Sequence, residues 1–363
     1  MSRALTEISR QTGSVDRVDP NAAAEFVQAA RFHRIAPLAH VATRRHAPEL
    51  SVLLQADYLR AAMVHLQACG ALHQLDSLLS DIEWLTFKGP VFSELAHPLA
   101  GLRTYNDVDV LVAPRDLREV SQRLVSAGWR LADFQDMLRN PAVPGEMHWI
   151  SPGGALIDLH WSMINMASRR QLFRIASVEL LERRVPVSLG SRPAWALALP
   201  DSLVHACLHA ALTGANKLIY LIDVDRLSAT VSDWTSVVAR AKEWRAEAQV
   251  ALVLMRAHQV LDTQFPASLV EELAIPQTLR ALVTLADRVS PVPEVRRNTG
   301  ISRFVARAVQ PTFSETMRVA GRNATRGINE ALHRSPQPMP HRQEADHASL
   351  EAYLTAVESV VGG

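Results

Sequence analysis

Apolar positions recur at helical spacing in the first part of the chain and again in its last third, with short apolar runs cut by turn residues between them. From Asn21 to about Ser80 the pattern predicts helices. Phe26, Ala29 and Ala30 share a face, as do Leu53, Leu54, Tyr58 and Ala61, then Leu66, Cys69 and Leu72. Pro37 and Pro48 mark breaks between them. The texture changes at Trp84. Trp84-Leu85-Thr86-Phe87 runs into Lys88-Gly89-Pro90, which predicts a strand entering a turn, and Val91 to Ala96 follow as a short helix. Val108 to Val112 is apolar and rich in β-branched residues, the pattern of a core strand. Pro114 to Ala127 predicts an amphipathic helix. Leu117, Val120 and Leu124 form its buried face, Pro114 suits its first turn and Gly128 its C-terminal cap. Met147–Ile150 and Ala155–His160 flank Ser151-Pro152-Gly153-Gly154, a hairpin signal, and Val185 to Leu189 adds one more strand.

After Pro200 helical spacing returns. Asp201 or Ser202 is placed to cap a helix through Leu212. Further helices are predicted over Lys217–Thr230, Asp233–Trp244, Ala246–Leu261 and Pro276–Val289. Periodicity weakens beyond Pro311. Ser335 to Pro340 predicts an extended proline-rich spacer, and Glu344 to Val361 a last helix. No internal repeat is visible. The expected division is a loose N-terminus (1–20), a helical region (21–80), a core (81–195), a C-terminal helical domain (196–310) and a weakly ordered tail (311–363). The fold class expected is α+β, a small mixed sheet with helices flanked by helical regions.

Composition narrows the functional classes. The chain has 363 residues, 48% hydrophobic and 21% charged, which fits about two globular domains and argues against wholesale disorder. With 38 basic and 37 acidic residues the net charge is +1, so there is no bulk drive toward nucleic acid or anionic membrane. Only Cys69 and Cys207 are cysteines, which excludes a disulfide framework and a cysteine-rich zinc site, and no disulfide-linked partner is expected. No run approaches the ~18 apolar residues of a membrane helix, and no signal-peptide core is visible. A reducing cytoplasm, with no membrane partner, is the expected setting.

Asn106-Asp107-Val108-Asp109-Val110 carries the chemistry. Aspartates at i and i+2 at the start of an apolar strand point to one face, where like charges repel. A divalent cation resolves that conflict, because carboxylate oxygens suit magnesium. Asp158, a lone acid in the apolar run Leu156–His160, is the candidate third carboxylate. Lys88-Gly89 lies at a strand-to-helix turn, where backbone N–H groups hold phosphate. These are the parts of two-metal phosphoryl chemistry. Taken alone, a D-x-D pair also occurs at exposed strand ends, with a purely solvated role.

Phe87-Lys88-Gly89, a spaced Arg103, Asp107-Val108-Asp109-Val110-Leu111-Val112, Ala127-Gly128-Trp129 and Ile157-Asp158-Leu159-His160-Trp161 together resemble the uncharacterised nucleotidyltransferase family of the polymerase-β superfamily. Arg31 to Leu38 resembles that family's N-terminal helical segment. Leu203 to Leu227, with His205, His209 and Leu221-Ile222-Asp223, resembles its C-terminal helical part. The resemblance covers about residues 25 to 265. It implies a polymerase-β-like core, two Mg²⁺ ions, an NTP substrate, and transfer of a nucleoside monophosphate to an acceptor with release of pyrophosphate. It implies that Asp107 and Asp109 ligate both metals and that Asp158 ligates the catalytic one and helps activate the acceptor hydroxyl. Lys88 and Gly89 then sit against the triphosphate, and Arg103 contacts phosphate or anchors a loop. The chain departs from the pattern at Pro90, which removes one N–H from the phosphate turn, at His97 in place of tyrosine, and at Asp225.

Other candidates read more plainly. His205 and His209 are spaced i, i+4, but position 206 is alanine, so the zinc-protease pattern is broken and a structural or substrate-facing role is expected. His160 can orient a metal ligand or simply end a strand. Lys217 reads as a surface lysine that can also reach a triphosphate. Asp223 and Asp225 read as a cap or salt-bridge pair, and Arg169-Arg170 and Arg183-Arg184 as solvated faces or contacts to an RNA or nucleotide acceptor. Trp149 and Trp161 read as core or pocket wall. No serine-hydrolase elbow, Walker A loop or dinucleotide fingerprint is present. A Mg²⁺-dependent enzyme is the leading expectation, a non-catalytic nucleotide-binding or regulatory protein on the same fold the second, and a helical scaffold the third. The acceptor stays open among a small molecule, a protein hydroxyl and an RNA 3′ end.

Overall fold

The apolar runs of the middle region form the centre of a mixed eight-stranded sheet in the computed structural model, which describes residues 1–10, 22–134, 136–332 and 343–362. The strands are β1 (Trp84–Phe87), β2 (Val108–Val112), β3 (Arg130–Asp133), β4 (Glu146–Ile150), β5 (Leu156–His160), β6 (Val185–Leu189), β7 (Arg192–Ala196) and β8 (Gln343–Glu344). Their order is β6-β7-β1-β2-β5-β4-β3-β8. β2 pairs in parallel with β5 and antiparallel with β1, while β4 and β5 form the expected antiparallel hairpin. Every residue of β1 and β2 is buried, which is why these runs are continuously apolar except where chemistry intervenes.

Contacts divide the chain into two compact units. One comprises residues 63–95, 105–198 and 335–363, the other 1–62, 96–104 and 199–334. The first is the sheet unit. Its helices include Gly89–Leu95, Leu117–Ser126, Ser177–Glu182 and His347–Gly362. Leu117, Val120 and Leu124 are buried, as the spacing predicts, and Gly128 closes that helix at φ +78°, a conformation that glycine adopts without strain. The C-terminal helix buries Leu350, Tyr353, Leu354 and Val357. Tyr353 accepts from the Trp161 indole at 2.9 Å and donates to the Pro144 carbonyl at 2.5 Å.

The second unit is helical. Leu199–Thr213, Leu218–Ser228, Trp234–Glu243 and Glu247–Leu261 pack on one another, and Gln277–Val289 on Ile301–Ala308. Three of its buried acids are each met by an arginine. Arg256 donates to both oxygens of Asp287 at 2.9 Å and to the Ser302 carbonyl at 2.8 Å. Arg103 grips Asp223 at 2.8 to 3.1 Å. Asp201 lies inside the first turn of its helix, paired with Arg240 at 2.7 Å; the helix starts at Leu199, ahead of the expected cap.

Several elements differ from the sequence pattern. Ser2–Ser9 is a helix although the first twenty residues show little periodicity, because Leu5 and Ile8 are buried a turn apart. Phe313–Leu332 is a long helix where the periodicity fades, its polar residues outnumbering the apolar ones that mark a face. β3 has only four residues with an exposed start, too short for visible alternation. β7 contains Pro193, a breaker, but pairs with β1 only at Ala196, which leaves the proline outside that ladder. Residues 11–20 and the Ser335–Pro340 spacer lie outside the described residues.

Candidate active site

Strand register builds a polar patch on one face of the sheet. Phe87 of β1 lies opposite Asp109 of β2, Asp109 opposite Asp158 of β5, and Asp158 opposite His148 of β4. Two residues further along, Leu111 lies opposite His160, and His160 opposite Glu146. Residues directly opposite, and residues two apart on one strand, share a face. Asp109, Asp158, His148, His160 and Glu146 therefore project the same way. Asp107 stands two positions before Asp109, just ahead of β2, and is half-buried.

The turn after β1 brings Lys88 into this patch. Lys88 sits at φ +58°, a left-handed backbone that costs an L-residue roughly 1 kcal/mol or more. Its ammonium lies 2.6 Å from Asp109 Oδ1 and 5.1 Å from the centre of the Phe87 ring. Gly89 opens the next helix, and a Cβ there would lie 3.1 Å from both the Asp107 carbonyl and the Tyr105 ring. Glycine suits that close approach, since any side chain would push the Asp107 carbonyl or the Tyr105 ring back by a few tenths of an ångström.

The acids are matched by cations of the chain. His160 Nε2 is 3.1 Å from Asp109 Oδ1, and its Nδ1 is 3.3 Å from Glu146 Oε2. Donating at both nitrogens takes an imidazolium. His148 Nδ1 is 2.7 Å from Asp158 Oδ1. Asn165 holds the other oxygen of Glu146.

The titration directions follow. Burial opposes charge on Asp109, but Lys88 and His160 outweigh it and hold the carboxyl below its usual range. Burial pulls His160 down, while Glu146 and Asp109 overcome it and raise the imidazole. Burial likewise opposes His148, which Asp158 raises on balance. Lys88 is raised despite burial by Asp109, with Asp107 and Glu146 adding to it. Glu146 is raised chiefly by burial, partly offset by His160.

Ligand atoms of Asp109, Asp158 and His160 all lie within 4.8 Å of one another. Two facing carboxylates suit a hard divalent cation, whereas an imidazole nitrogen suits softer ones. His160 Nε2 already faces Asp109, which fits a role in orienting that ligand. The donor set therefore fits Mg²⁺ on the carboxylates.

The remaining predicted residues are engaged in contacts of their own. Arg103 belongs to the helical unit, where its guanidinium is engaged by Asp223. His205 and His209 are stacked with ring centres 6.2 Å apart, His209 is edge-on to Tyr220, and the Lys217 ammonium lies 5.2 Å from the centre of the Phe32 ring. Asp225 accepts from Thr263 at 2.7 Å. Arg170 clasps the carbonyls of Asn165 and Val143 and lies over Trp161, and Arg184 pairs with Glu83 over Trp195.

Two members of the patch, Glu146 and His148, escaped the sequence reading. Counting outward from the hairpin turn finds them. With Ile150 opposite Leu156, every second residue back on β4 meets an acid or histidine on β5.

A family model described as "Uncharacterised nucleotidyltransferase" matches residues 19–262. Among solved structures, an antigenic nucleotidyltransferase-like protein from Paracoccidioides brasiliensis shares 14% identity with this chain. That match covers 57% of this chain and 95% of the other, with a TM-score of 0.33. No curated protein matches the chain. Among the described residues no helix is long and apolar enough to cross a membrane, and Cys69 and Cys207 are both free.

Proposed function

The chain belongs to the uncharacterised nucleotidyltransferase family, and from that premise we propose that it moves a nucleoside monophosphate from an NTP to an acceptor, releasing pyrophosphate. The observation that carries this reading is the parallel pairing of β2 with β5, which sets Asp109 directly opposite Asp158. Asp107, Asp109 and Asp158 are the proposed holders of two Mg²⁺ ions, which supply charge neutralisation at the transferring phosphoryl group. Lys88 and the Gly89 N–H face the triphosphate at the turn after β1. Asp158, oriented by His148, accepts the proton of the acceptor hydroxyl. His160 fixes the direction of Asp109 by bridging it to Glu146. Arg103, gripping Asp223, anchors the loop that carries it.

The test is label transfer. The protein is incubated with α-labelled NTPs, Mg²⁺ and a cell lysate, and the labelled product is identified. Label that appears with wild type and disappears with Asp109→Asn supports the reading. Nucleotide binding by calorimetry without label transfer or pyrophosphate release would instead favour a regulatory protein on this fold.

A further inference from the structure

A second cluster of ligand-bearing side chains stands in the sheet unit, outside the carboxylate patch. His65 and Cys69 are i, i+4 on the long helix Pro48–Leu78, so they share one helical face. Glu94 reaches them from the helix Gly89–Leu95. His65 Nε2 lies 3.0 Å from Glu94 Oε1 and 3.7 Å from Cys69 Sγ, and ligand atoms of all three fall within 4.8 Å of one another. Bond lengths and angles of a tetrahedral zinc centre set its donors roughly 3.3 to 3.6 Å apart. The cluster is within a few tenths of an ångström of that at both measured edges.

The surroundings hold each donor in place. His65 Nδ1 is 2.7 Å from the Tyr105 hydroxyl, so the nitrogen facing away from Cys69 and Glu94 is fixed and Nε2 is presented to them. Glu94 Oε1 also accepts from the Gly190 N–H at 2.8 Å. A Cβ at Gly190 would lie 3.0 Å from Cys69 Cβ and 3.2 Å from its sulfur, and Gly190 has φ +56°. The β6–β7 turn thus closes tightly over the thiol. His65 is buried, whereas Cys69 and Glu94 are half-exposed, so an ion can reach the three donors from solvent and take water as its fourth ligand.

We propose that His65, Cys69 and Glu94 form a binding site for a thiophilic divalent cation of the zinc class, separate from the Mg²⁺ carboxylates. One sulfur, one nitrogen and one oxygen donor is a set that zinc accepts and magnesium does not favour. Binding exchanges the thiol proton for the metal and leaves a thiolate–metal bond. The ion pins the helix Gly89–Leu95 to the long helix. Through Tyr105, which touches both His65 and the position of Gly89, it braces the turn that carries Lys88.

The test uses the full-length protein, stripped with a chelator and titrated with Co²⁺. The expected result is one equivalent of thiolate-to-cobalt charge-transfer absorbance, displaced by Zn²⁺. Cys69→Ser and His65→Gln abolish that absorbance, and Tyr105→Phe weakens the affinity by about tenfold. The band survives in Cys207→Ser and in the Asp109→Asn/Asp158→Asn double variant, which separates this site from the carboxylate patch. Should Cys69→Ser fail to fold, competition of the wild type and that double variant against a chromophoric zinc chelator still counts one tight equivalent. No thiolate band at saturating cobalt, a band that persists in folded Cys69→Ser, or no tight zinc equivalent in the competition overturns the proposal.

Discussion

The two units bury charge in different ways. In the helical unit an acid is met by an arginine: Asp223 by Arg103, Asp287 by Arg256, Asp201 by Arg240. In the sheet unit Asp109, Asp158 and Glu146 share Lys88, His148 and His160 within four neighbouring strands. Histidines diverge accordingly. Burial first, then neighbouring cations, push His33 to about 3 and His97 to about 4 in the helical unit, whereas carboxylates raise His148 and His160 in the sheet. Arginine is permanently charged and forked, so its pairs are fixed joints. Lysine and histidine can give up a proton or a partner, so their carboxylates can be handed to a substrate or an ion. The same residue types therefore serve as architecture in one unit and as a candidate reaction centre in the other.

Variants separate these uses. Asp109→Asn or Asp158→Asn is expected to lower nucleotidyl transfer per folded molecule by on the order of 10³-fold, measured by label transfer with circular dichroism as the check on folding. Asp109→Asn also lowers the urea midpoint, because Lys88 and His160 lose their shared anion. Arg256→Ala has the converse effect. It leaves Asp287 buried without its partner and costs about 3 to 5 kcal/mol in urea unfolding, with activity per folded molecule unchanged.

Acid should weaken the helical unit through its depressed histidines. Unfolded histidine titrates near 6.5, so between that pH and about 4 the unfolded chain binds more protons than the folded one at His33 and His97. Stability is full above pH 6.5 and falls as pH drops, by about 1.4 kcal/mol per pH unit for each histidine. Urea midpoints across that range check the slope, which His97→Gln should roughly halve. The smallest effect is expected at the exposed Arg123–Asp81 pair. Asp81→Asn should leave the urea midpoint unchanged within error, because solvent screens both partners.

The sequence exposed those parts of the sheet unit that depend on local pattern. β1, β2, β5 and the β4–β5 hairpin follow from apolar runs and a Pro/Gly turn, and the mixed α+β class follows from them. Asp109 and Asp158 stand out because each interrupts an apolar strand. Their register is a different matter, since pairing across 49 positions is set by packing that one sequence does not display. Glu146 and His148 look like ordinary exposed residues of an edge-like run until the hairpin is counted back from its turn. Arg103 shows the same limit: its partner Asp223 lies 120 residues away.

The most direct measurement is a crystal of the full chain soaked with Mn²⁺ and a non-hydrolysable NTP. The expected result is an anomalous peak bonded to both Asp109 and Asp158, with the triphosphate beside Lys88. An ordered nucleotide elsewhere in the chain, or a peak that leaves those two carboxylates untouched, would contradict the account.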